Sequence, residues 1–430
     1  MVVGPGGAPW VTLTVVWLTL AISYGLYFSF SIFFVPLLEE FRWSRSLTAG
    51  IFSLSTVVQG LASPLVGILV DRLGPRRVLL TGAALLGGAS ILVSRIQHLW
   101  EIYLITGVMA ALGMAGAGWV PSGVLLARWF ARRRGGMIGL AFSGMGIGVL
   151  VVGPVAQYLI VRTGWRQANL LLGVATLLLL IPLLWFGVKN SPPASEAVPQ
   201  PAPGRPPRED TFGPDRAASP GPTVRQALAT RRFWLLFGAS FITPLAVMPV
   251  FVHQVAFAVD QGFSRMFVAS IFGLSGLVSS IGRVGFGTIS DRMGRALAAT
   301  LSFGCTASGT LALIVVELYP HPGFLYAYAI LFGLGFGARG PIMTALATDH
   351  FGGKRFGAIY GILNFGNGIG AAVGPWYSGM VHDLTGSYRW AFVTAMAFCG
   401  VGSACFWAAA SHRPDRRSGV RPSRPMGAGP

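Results

Sequence analysis

The chain reads GILVDRLGPRRVLL at residues 67–80 and GTISDRMGRALAAT at residues 287–300, 220 positions later. Each copy joins one apolar stretch to the next. Two further pairs keep nearly the same separation: GVLVVGPV (148–155) with GAAVGPW (370–376), and RTGWRQA (162–168) with LTGSYRWAF (384–392). Three matched landmarks in the same order predict that the chain is an internal duplication, with each copy forming one half of the fold.

The stretches that these landmarks join are long enough to cross a membrane. The 430 residues are 53% hydrophobic and 11% charged, whereas soluble domains carry about 25% charged residues. A spanning helix needs about 20 apolar residues, and continuous runs exclude a β-barrel, whose strands alternate in polarity. The runs predict twelve transmembrane helices at 10–35, 46–70, 78–94, 99–127, 135–161, 167–188, 233–259, 267–289, 296–318, 324–348, 356–382 and 390–411. The predicted fold class is therefore an all-α integral membrane protein with two pseudo-symmetric six-helix bundles.

Basic residues are distributed unevenly between the two faces of this predicted bundle. An even number of helices puts both termini on one face, and the loops and tail of that face hold 23 of the 32 Lys and Arg residues. The opposite loops hold seven, and the remaining two are Arg283 and Arg339. Because Lys and Arg accumulate in cytoplasmic loops, both termini are predicted to be cytoplasmic. The same bias explains the net charge of +18 without a nucleic-acid partner.

Composition also predicts the boundaries of the two halves. Residues 1–189 form the first bundle, and its first apolar run is expected to be a retained helix, because no basic n-region or cleavage site precedes it. Residues 190–232 are rich in Pro and charge and predict a cytoplasmic linker, with a short amphipathic end near Val224–Arg232. Residues 233–412 form the second bundle, and residues 413–430 form a basic cytoplasmic tail.

The repeated loop carries a family resemblance. The segment Gly67–Val78 closely resembles the loop 2–3 signature of the major facilitator superfamily, whereas the second copy is shorter and lacks the Pro-Arg-Arg run. In that family the loop is a charge latch that stabilises one conformation and is released in the other. The resemblance implies that the latch consists of Gly67, Asp71, Arg72, Gly74, Arg76, Arg77, Asp291 and Arg292.

Within the superfamily the chain resembles the monocarboxylate and oxalate/formate transporter branch. The segment SSIGRVGFGTISDRMGR (279–295) places Arg283 on the eighth predicted helix, where members of the branch bind the substrate carboxylate with an arginine. Animal members place an acidic proton partner one turn earlier, but this chain has Ser279 there. Residues 333–376 resemble bacterial members, which implies small organic anions as substrates and a bacterial inner membrane as the location.

Arg283 and Arg339 are the two charged residues predicted to lie at membrane depth, and no Asp or Glu accompanies them. A guanidinium keeps its proton, and each one costs roughly 2.5–3.5 kcal/mol near the bilayer centre on insertion scales. Two uncompensated cations at similar depth predict an anionic substrate that supplies the missing charge. The alternatives are a structural bond from Arg283 to helix-end carbonyls, and a gating or bracing role for Arg339 beside Pro341.

Several other polar and aromatic side chains are candidates for the substrate cavity. They are Tyr24 and Tyr27 on the first helix, Trp119 on the fourth, and Tyr360, Asn364 and Asn367 on the eleventh. The alternative for each is packing or hydrogen bonding between helices. His253 lies well inside the seventh helix and is either a proton-coupling residue or the partner in an inter-helix hydrogen bond.

These features predict a secondary transporter of small organic anions, most simply of monocarboxylates such as lactate or pyruvate, by alternating access. Because arginine cannot release a proton, the second partner is a co-transported proton or a counter-anion. A dicarboxylate or oxalate/formate-type exchanger stays open as an alternative, and a non-transporting membrane sensor is the rival of another class. No catalytic motif, metal spacing or cofactor loop occurs, so neither an enzyme nor a cofactor is predicted.

Overall fold

The computed structural model describes residues 8–130, 134–188, 221–352 and 356–410, and every element within these ranges is helical. The first half contains α1 (Ala8–Phe28 and Phe30–Phe41), α2 (Arg45–Leu73), α3 (Pro75–Val93), α4 (in four segments from Leu99 to Trp129), α5 (Arg134–Thr163) and α6 (Trp165–Gly187). The second half contains α7 (Arg231–Asp260), α8 (Arg265–Met293), α9 (Arg295–Leu318), α10 (Pro322–Phe351), α11 (Phe356–Thr385) and α12 (Arg389–Ala410). Eleven of these units are long and apolar enough to cross a membrane, and α11 is a 30-residue helix in the remaining position. The prediction of an all-α membrane fold is confirmed.

Parts of the predicted organisation lie outside the described residues. These parts are linker residues 190–220, the tail 413–430, and the loop residues Arg132, Arg133, Lys354 and Arg355. At the end of the linker, Thr223 and Gln226 form a reciprocal cap for a short helix, Val224–Leu228. The helix α7 begins at Arg231, so it starts before the predicted residue 233.

Two membrane units are interrupted, and neither interruption was predicted. The helix α1 breaks at Ser29, whose hydroxyl donates to the Leu26 carbonyl at 2.6 Å. The unit α4 contains a π-helical segment, Tyr103–Ala110, and a further break at Gly118 before Trp119. A run of apolar residues predicts a continuous membrane-spanning helix, and it does not indicate such local changes in backbone hydrogen bonding.

Equivalent turns in the two halves share one backbone conformation. Gly74 between α2 and α3 has φ +84°, and Gly294 between α8 and α9 has φ +96°. Gly164 between α5 and α6 and Gly386 between α11 and α12 have φ +84° and +74°. Side chains disfavour this left-handed region, so glycine is the residue that permits these turns. Two of the three pairs of sequence landmarks therefore correspond to matched turns of the two bundles.

Two pairs of helices hold the halves together, α2 with α11 and α5 with α8. We call the face on which α1 begins and α12 ends the terminal face, and the other the opposite face. Along α2 and α11, a methyl group added at Gly379 would lie 2.7 Å from Cα of Ser46, near the opposite face. One added at Gly60 would lie 3.9 Å from Cα of Gly368, and one added at Gly67 would meet nothing within 4 Å. The two helices therefore diverge toward the terminal face.

Candidate binding site between the two halves

Arg283 lies on α8 at the boundary between the halves. Its Nη1 donates to the Phe142 carbonyl of α5 at 2.6 Å. Ser280, one turn away, donates to the neighbouring Ser143 carbonyl at 2.7 Å. Both acceptors belong to the first half and both donors to the second. Arg283 is therefore a cation whose hydrogen bond crosses the interface between the two bundles.

A row of aromatic side chains from both halves begins at Tyr24, beside Arg283. The Tyr24 phenol of α1 interacts electrostatically with Arg283, and its ring lies 5.6 Å from that of Phe28, one turn further along. Phe28 meets Phe251 of α7 with ring centroids 4.9 Å apart, and Phe251 stacks on Phe336 of α10 at 4.8 Å. We call Tyr24, Phe28, Phe251 and Phe336 the aromatic cap.

This arrangement can bind a small carboxylate that has an aliphatic part. A guanidinium offers a planar fork of donors that matches a carboxylate with two parallel hydrogen bonds. Arg283 is half-buried, and one of its nitrogens is held by a neutral carbonyl, which a charged acceptor can replace with a stronger bond. The rings of the aromatic cap offer an apolar surface beside the charge.

Arg339 reaches a different part of the second half. Its depth matches that of Arg283, because a methyl group added at the nearby Gly337 of α10 would lie 3.3 Å from Cβ of Arg283. Its guanidinium is directed to α9 instead, where Nη1 donates to Thr306 Oγ1 at 2.9 Å and to the Ser302 carbonyl at 3.3 Å. The two predicted binding arginines are therefore not brought together at one site.

Tyr27 on the first helix and Trp119 on the fourth, two of the predicted partners, have different surroundings from Tyr24. Tyr27 is directed to α2, where its hydroxyl lies 2.8 Å from Ser55 Oγ and accepts from Gln59 Nε2 at 2.6 Å. Trp119 begins the last segment of α4 and is 38% exposed. Of the first-helix candidates, Tyr24 is the one that the fold places beside Arg283.

The predicted partners on α11 form a separate polar group toward the terminal face. The Tyr360 hydroxyl lies 2.6 Å from Thr344 Oγ1 of α10 and also bonds to the Asn364 side chain. Asn367 donates to the Ser240 carbonyl of α7 at 3.4 Å. These contacts join α11 to α10 and to α7 within the second half.

His253 is fully buried and hydrogen-bonded at both ring nitrogens. Nε2 lies 2.9 Å from the Pro375 carbonyl and Nδ1 lies 3.0 Å from the Tyr388 hydroxyl. A carbonyl can only accept, so Nε2 carries the proton and the Tyr388 hydroxyl donates to Nδ1. Burial raises the pKa of Tyr388, against the opposing charge of Arg45, so this phenol stays a donor. In this conformation His253 is the partner in an inter-helix hydrogen bond.

Ion pairs join the two halves at the opposite face. Arg45 at the start of α2 pairs with Asp260 at the end of α7, with Nη1–Oδ2 at 2.7 Å and Nη2–Oδ1 at 3.0 Å. Arg265 at the start of α8 pairs with Glu39 at the end of α1. Among the described residues, both ion pairs between the halves lie on this face. The opposite face is therefore closed while the helices separate toward the terminal face.

A carboxylate of the second half also caps a helix of the first. The Oδ1 atom of Asp383, near the end of α11, accepts from the Arg45 amide at 2.9 Å, and Oδ2 accepts from the Ser46 amide at 2.9 Å. These amides belong to the first turn of α2 and have no partner within their own helix. A carboxylate there also favours the positive end of the helix dipole. We call Arg45, Asp260, Asp383, Glu39 and Arg265 the opposite-face lock.

Two of the latch residues that the sequence predicted, Arg76 and Asp291, make contacts within their own halves. Arg76 donates to the Trp185 carbonyl of α6 and lies over the Trp185 ring at 4.9 Å. Asp291 pairs with Arg295 at 2.5 Å, and Arg295 also lies 3.5 Å from Asp349 of α10. The exposed members are Asp71, Arg72, Arg77, Asp291 and Arg292. Arg295 was not predicted as a latch residue, because its pairing with Asp291 crosses the turn at Gly294 between α8 and α9.

Other functional contacts had no signal in the sequence. The acceptor for Arg283 is a main-chain carbonyl, and every residue type provides one. Asp383 and Asp260 lie at predicted helix ends far from Arg45 in the chain, so their pairing depends on the tertiary fold. Phe251 and Phe336 belong to apolar stretches in which aromatic residues are common.

Comparisons with known proteins identify relatives over most of the chain. The model of the Major Facilitator Superfamily matches residues 16–338 and 286–429. Human monocarboxylate transporter 11 is 30% identical over 93% of this chain and 82% of its own length. Bovine monocarboxylate transporter 13 is 27% identical over 93% and 88%. A solved bacterial homolog of the human lysosomal transporter Spinster, inward-facing and unoccupied, superposes with a TM-score of 0.72 at 14% identity, over 95% of this chain and 98% of that one.

Proposed function

This chain belongs to the major facilitator superfamily, and we propose that it is a secondary transporter of small organic anions, with monocarboxylates such as lactate or pyruvate as substrates. Its monocarboxylate transporter relatives support the substrate class. In this proposal the two halves alternate access to a site between them, and Arg283 binds the substrate carboxylate.

The position of Arg283 is the observation that carries the proposal. Its guanidinium, carried by α8, donates to the Phe142 carbonyl of α5, so it belongs to one half and bonds to the other. A carboxylate that displaces this carbonyl keeps the guanidinium paired and brings the charge that the membrane-depth cation needs. The bound substrate would then replace the bond from Arg283 to the Phe142 carbonyl. Substrate binding would in this way be coupled to the movement of the bundles.

The direction of Arg339 favours a monocarboxylate over a dicarboxylate. A dicarboxylate held at both ends needs two cations that face one cavity. Arg339 instead donates to Ser302 and Thr306 of α9 and is 3% exposed. The proposal therefore assigns a single carboxylate to Arg283, and the alkyl part of the substrate to the aromatic cap.

The coupling partner in this proposal is a proton or a returning anion. Ser279 stands where animal members of the branch have an acid, and both ring nitrogens of His253 are already bonded. Anion exchange therefore needs no further residue, whereas proton symport needs a group that the described membrane helices do not offer in this conformation. Uptake in the presence and absence of a pH gradient separates the two mechanisms.

We further propose that both termini face the cytoplasm, as the 23 basic residues on the terminal face indicate. The conformation described here then opens to the cytoplasm, with the opposite-face lock on the outer side. The location in a bacterial inner membrane rests on the sequence resemblance, because the monocarboxylate transporters named above are mammalian.

Uptake into proteoliposomes tests the proposal. Labelled lactate, pyruvate and oxalate are supplied to the wild-type protein and to Arg283→Gln, with and without a pH gradient. We expect the wild type to accumulate at least one monocarboxylate and Arg283→Gln to lose at least about tenfold in initial rate, since a lost charged hydrogen bond costs about 1.5–3 kcal/mol.

Ser280→Ala is the matched control for this experiment. It removes the neighbouring cross-half bond to Ser143 without removing a charge. An equal loss of uptake in Arg283→Gln and Ser280→Ala would show that Arg283 only joins α5 and α8. Full uptake of every anion by Arg283→Gln would contradict the proposal outright.

A further inference from the structure

Arg339 is a fully buried cation with unused hydrogen-bond donors. It is 3% exposed, and its Nε and Nη2 atoms have no hydrogen-bond partner among the described residues. The third nitrogen, Nη1, is held by the side chain of Thr306 and the carbonyl of Ser302. These acceptors are neutral, so the charge of the guanidinium is not balanced by them. Water could accept hydrogen bonds from Nε and Nη2, but water cannot balance the positive charge either.

Aromatic, hydroxyl and thiol side chains surround the Arg339 guanidinium. The guanidinium lies over the Phe303 ring at 4.6 Å, and the Cys305 and Cys399 thiols are close enough to interact with it electrostatically. Phe303 and Cys305 are on α9 and Cys399 is on α12, both within the second half. Among the described residues, the groups that interact with this guanidinium include no acidic side chain.

From this geometry we infer that Arg339 is the centre of a second anion site, which binds a small monovalent inorganic anion such as chloride. Nε and Nη2 of Arg339 donate to the anion, while Thr306 fixes the orientation of the guanidinium. The site lies between α9, α10 and α12, whereas Arg283 faces α5. The bound anion is therefore a resident ion of the second half, independent of the transported substrate and of the proposed function.

Binding of radioactive chloride to the purified protein tests this inference directly. The wild-type protein in chloride-free gluconate buffer is expected to bind chloride saturably at a single class of site. Arg339→Met replaces the guanidinium with an apolar side chain of similar length and is expected to weaken the affinity for chloride at least about tenfold. Arg283→Gln is expected to bind chloride as the wild type does. This last variant separates failure of the chloride site from failure of the proposed transport function.

Two further variants keep the test decisive if Arg339→Met does not fold. Thr306→Val removes the side chain that orients the guanidinium, and it is expected to weaken chloride binding severalfold while the charge stays in place. The absence of saturable binding in the wild type would overturn the inference, as would unchanged binding in both Arg339→Met and Thr306→Val. If a thiolate balanced the charge instead, the wild type would bind no chloride and Cys305→Ala with Cys399→Ala would lower thermal stability.

Discussion

Arg283 and Arg339 are the same residue type at similar depth, yet their guanidinium groups have different partners. Arg283 is half-buried and bonds across the boundary between the halves, to the Phe142 carbonyl. Arg339 is fully buried and bonds to α9, in its own half. The sequence predicted that both arginines are uncompensated charges, because the hydropathy of their helices indicates how deep in the membrane they lie. Which side of its helix each guanidinium faces depends on packing, so the sequence could not distinguish a cavity from a bundle interior.

Arg283→Lys tests whether the shape of the cation matters as well as its charge. Lysine keeps a positive charge but has no planar fork, so the bidentate pair with the carboxylate is lost. We therefore expect the initial rate of monocarboxylate uptake to fall at least about tenfold and the KM to rise. The measurement is the concentration dependence of uptake into proteoliposomes. Uptake kinetics identical to those of the wild type would show that charge alone is sufficient at this position.

At the scale of the element, the order and type of the helices followed from the sequence, but their internal breaks did not. Twelve apolar runs gave twelve helical units in the right order, because a span must satisfy its own backbone hydrogen bonds. The break at Ser29 and the π segment Tyr103–Ala110 depend on local bonding that hydropathy does not reveal. Close packing depends in the same way on which glycine faces a neighbour. Gly146 of α5 faces α8, whereas Gly139 of the same helix faces open space.

Gly146→Ala is expected to separate α5 from α8. The added methyl group would lie 2.1 Å from the Gly276 carbonyl oxygen, and overpacking of this kind costs about 1–3 kcal/mol. We expect a lower midpoint of thermal unfolding and slower uptake. Gly139→Ala is the control, because a methyl group there meets nothing within 4 Å and alanine favours the helix. Equal effects of the two substitutions would contradict close packing at Gly146.

Asp383→Asn is expected to loosen the opposite face. Asparagine keeps one acceptor for the amides of α2 but loses the charge that favours the helix end. In a Thr48→Cys background, we expect labelling by a membrane-impermeant maleimide to increase about fivefold for each kcal/mol lost from the closed state. Thr48 is fully buried one turn inside α2, so it reports opening.

Glu101→Gln is the matched control for Asp383→Asn. Glu101 also accepts from two backbone amides, those of Gln97 and His98, at 2.6 and 3.0 Å. All three residues belong to the first half, so this substitution alters a helix cap without altering a contact between the halves. If Glu101→Gln increased labelling of Thr48→Cys as much as Asp383→Asn did, the cap on α2 would have no special part in closing this face.

For the whole molecule, the duplicated architecture could be predicted, but the conformation could not. Matched landmarks in the two copies implied two similar bundles, and the matched positive-φ glycines agree with that. A transporter sequence encodes more than one arrangement of its halves, and the balance between them depends on contacts such as that of Arg45 with Asp260. These contacts join residues more than 200 positions apart, where spacing in the sequence carries no information.

A cross-link between the halves is expected to stop transport. Glu39→Cys and Arg265→Cys place thiols at a cross-half ion pair of the opposite-face lock, and a membrane-impermeant bismaleimide should hold this face closed. Uptake should then fall to the background rate. Glu40→Cys with Arg166→Cys is the control, because that ion pair lies within the first half. Normal uptake after complete cross-linking between the halves would contradict alternating access in this chain.

If α2 tilts against α11 about the close approach of Gly60 to Gly368, α2 acts as a lever with its pivot there. A helical rise of about 1.5 Å per residue puts Ser46 roughly 21 Å from that pivot. A tilt of only about 6° would then move Ser46 by about 2 Å, beyond the reach of a hydrogen bond. The bonds to Asp383 would break together, as would the pair with Asp260 beside them. The closed face would therefore have a threshold: smaller tilts would leave these bonds intact, and larger ones would break them together.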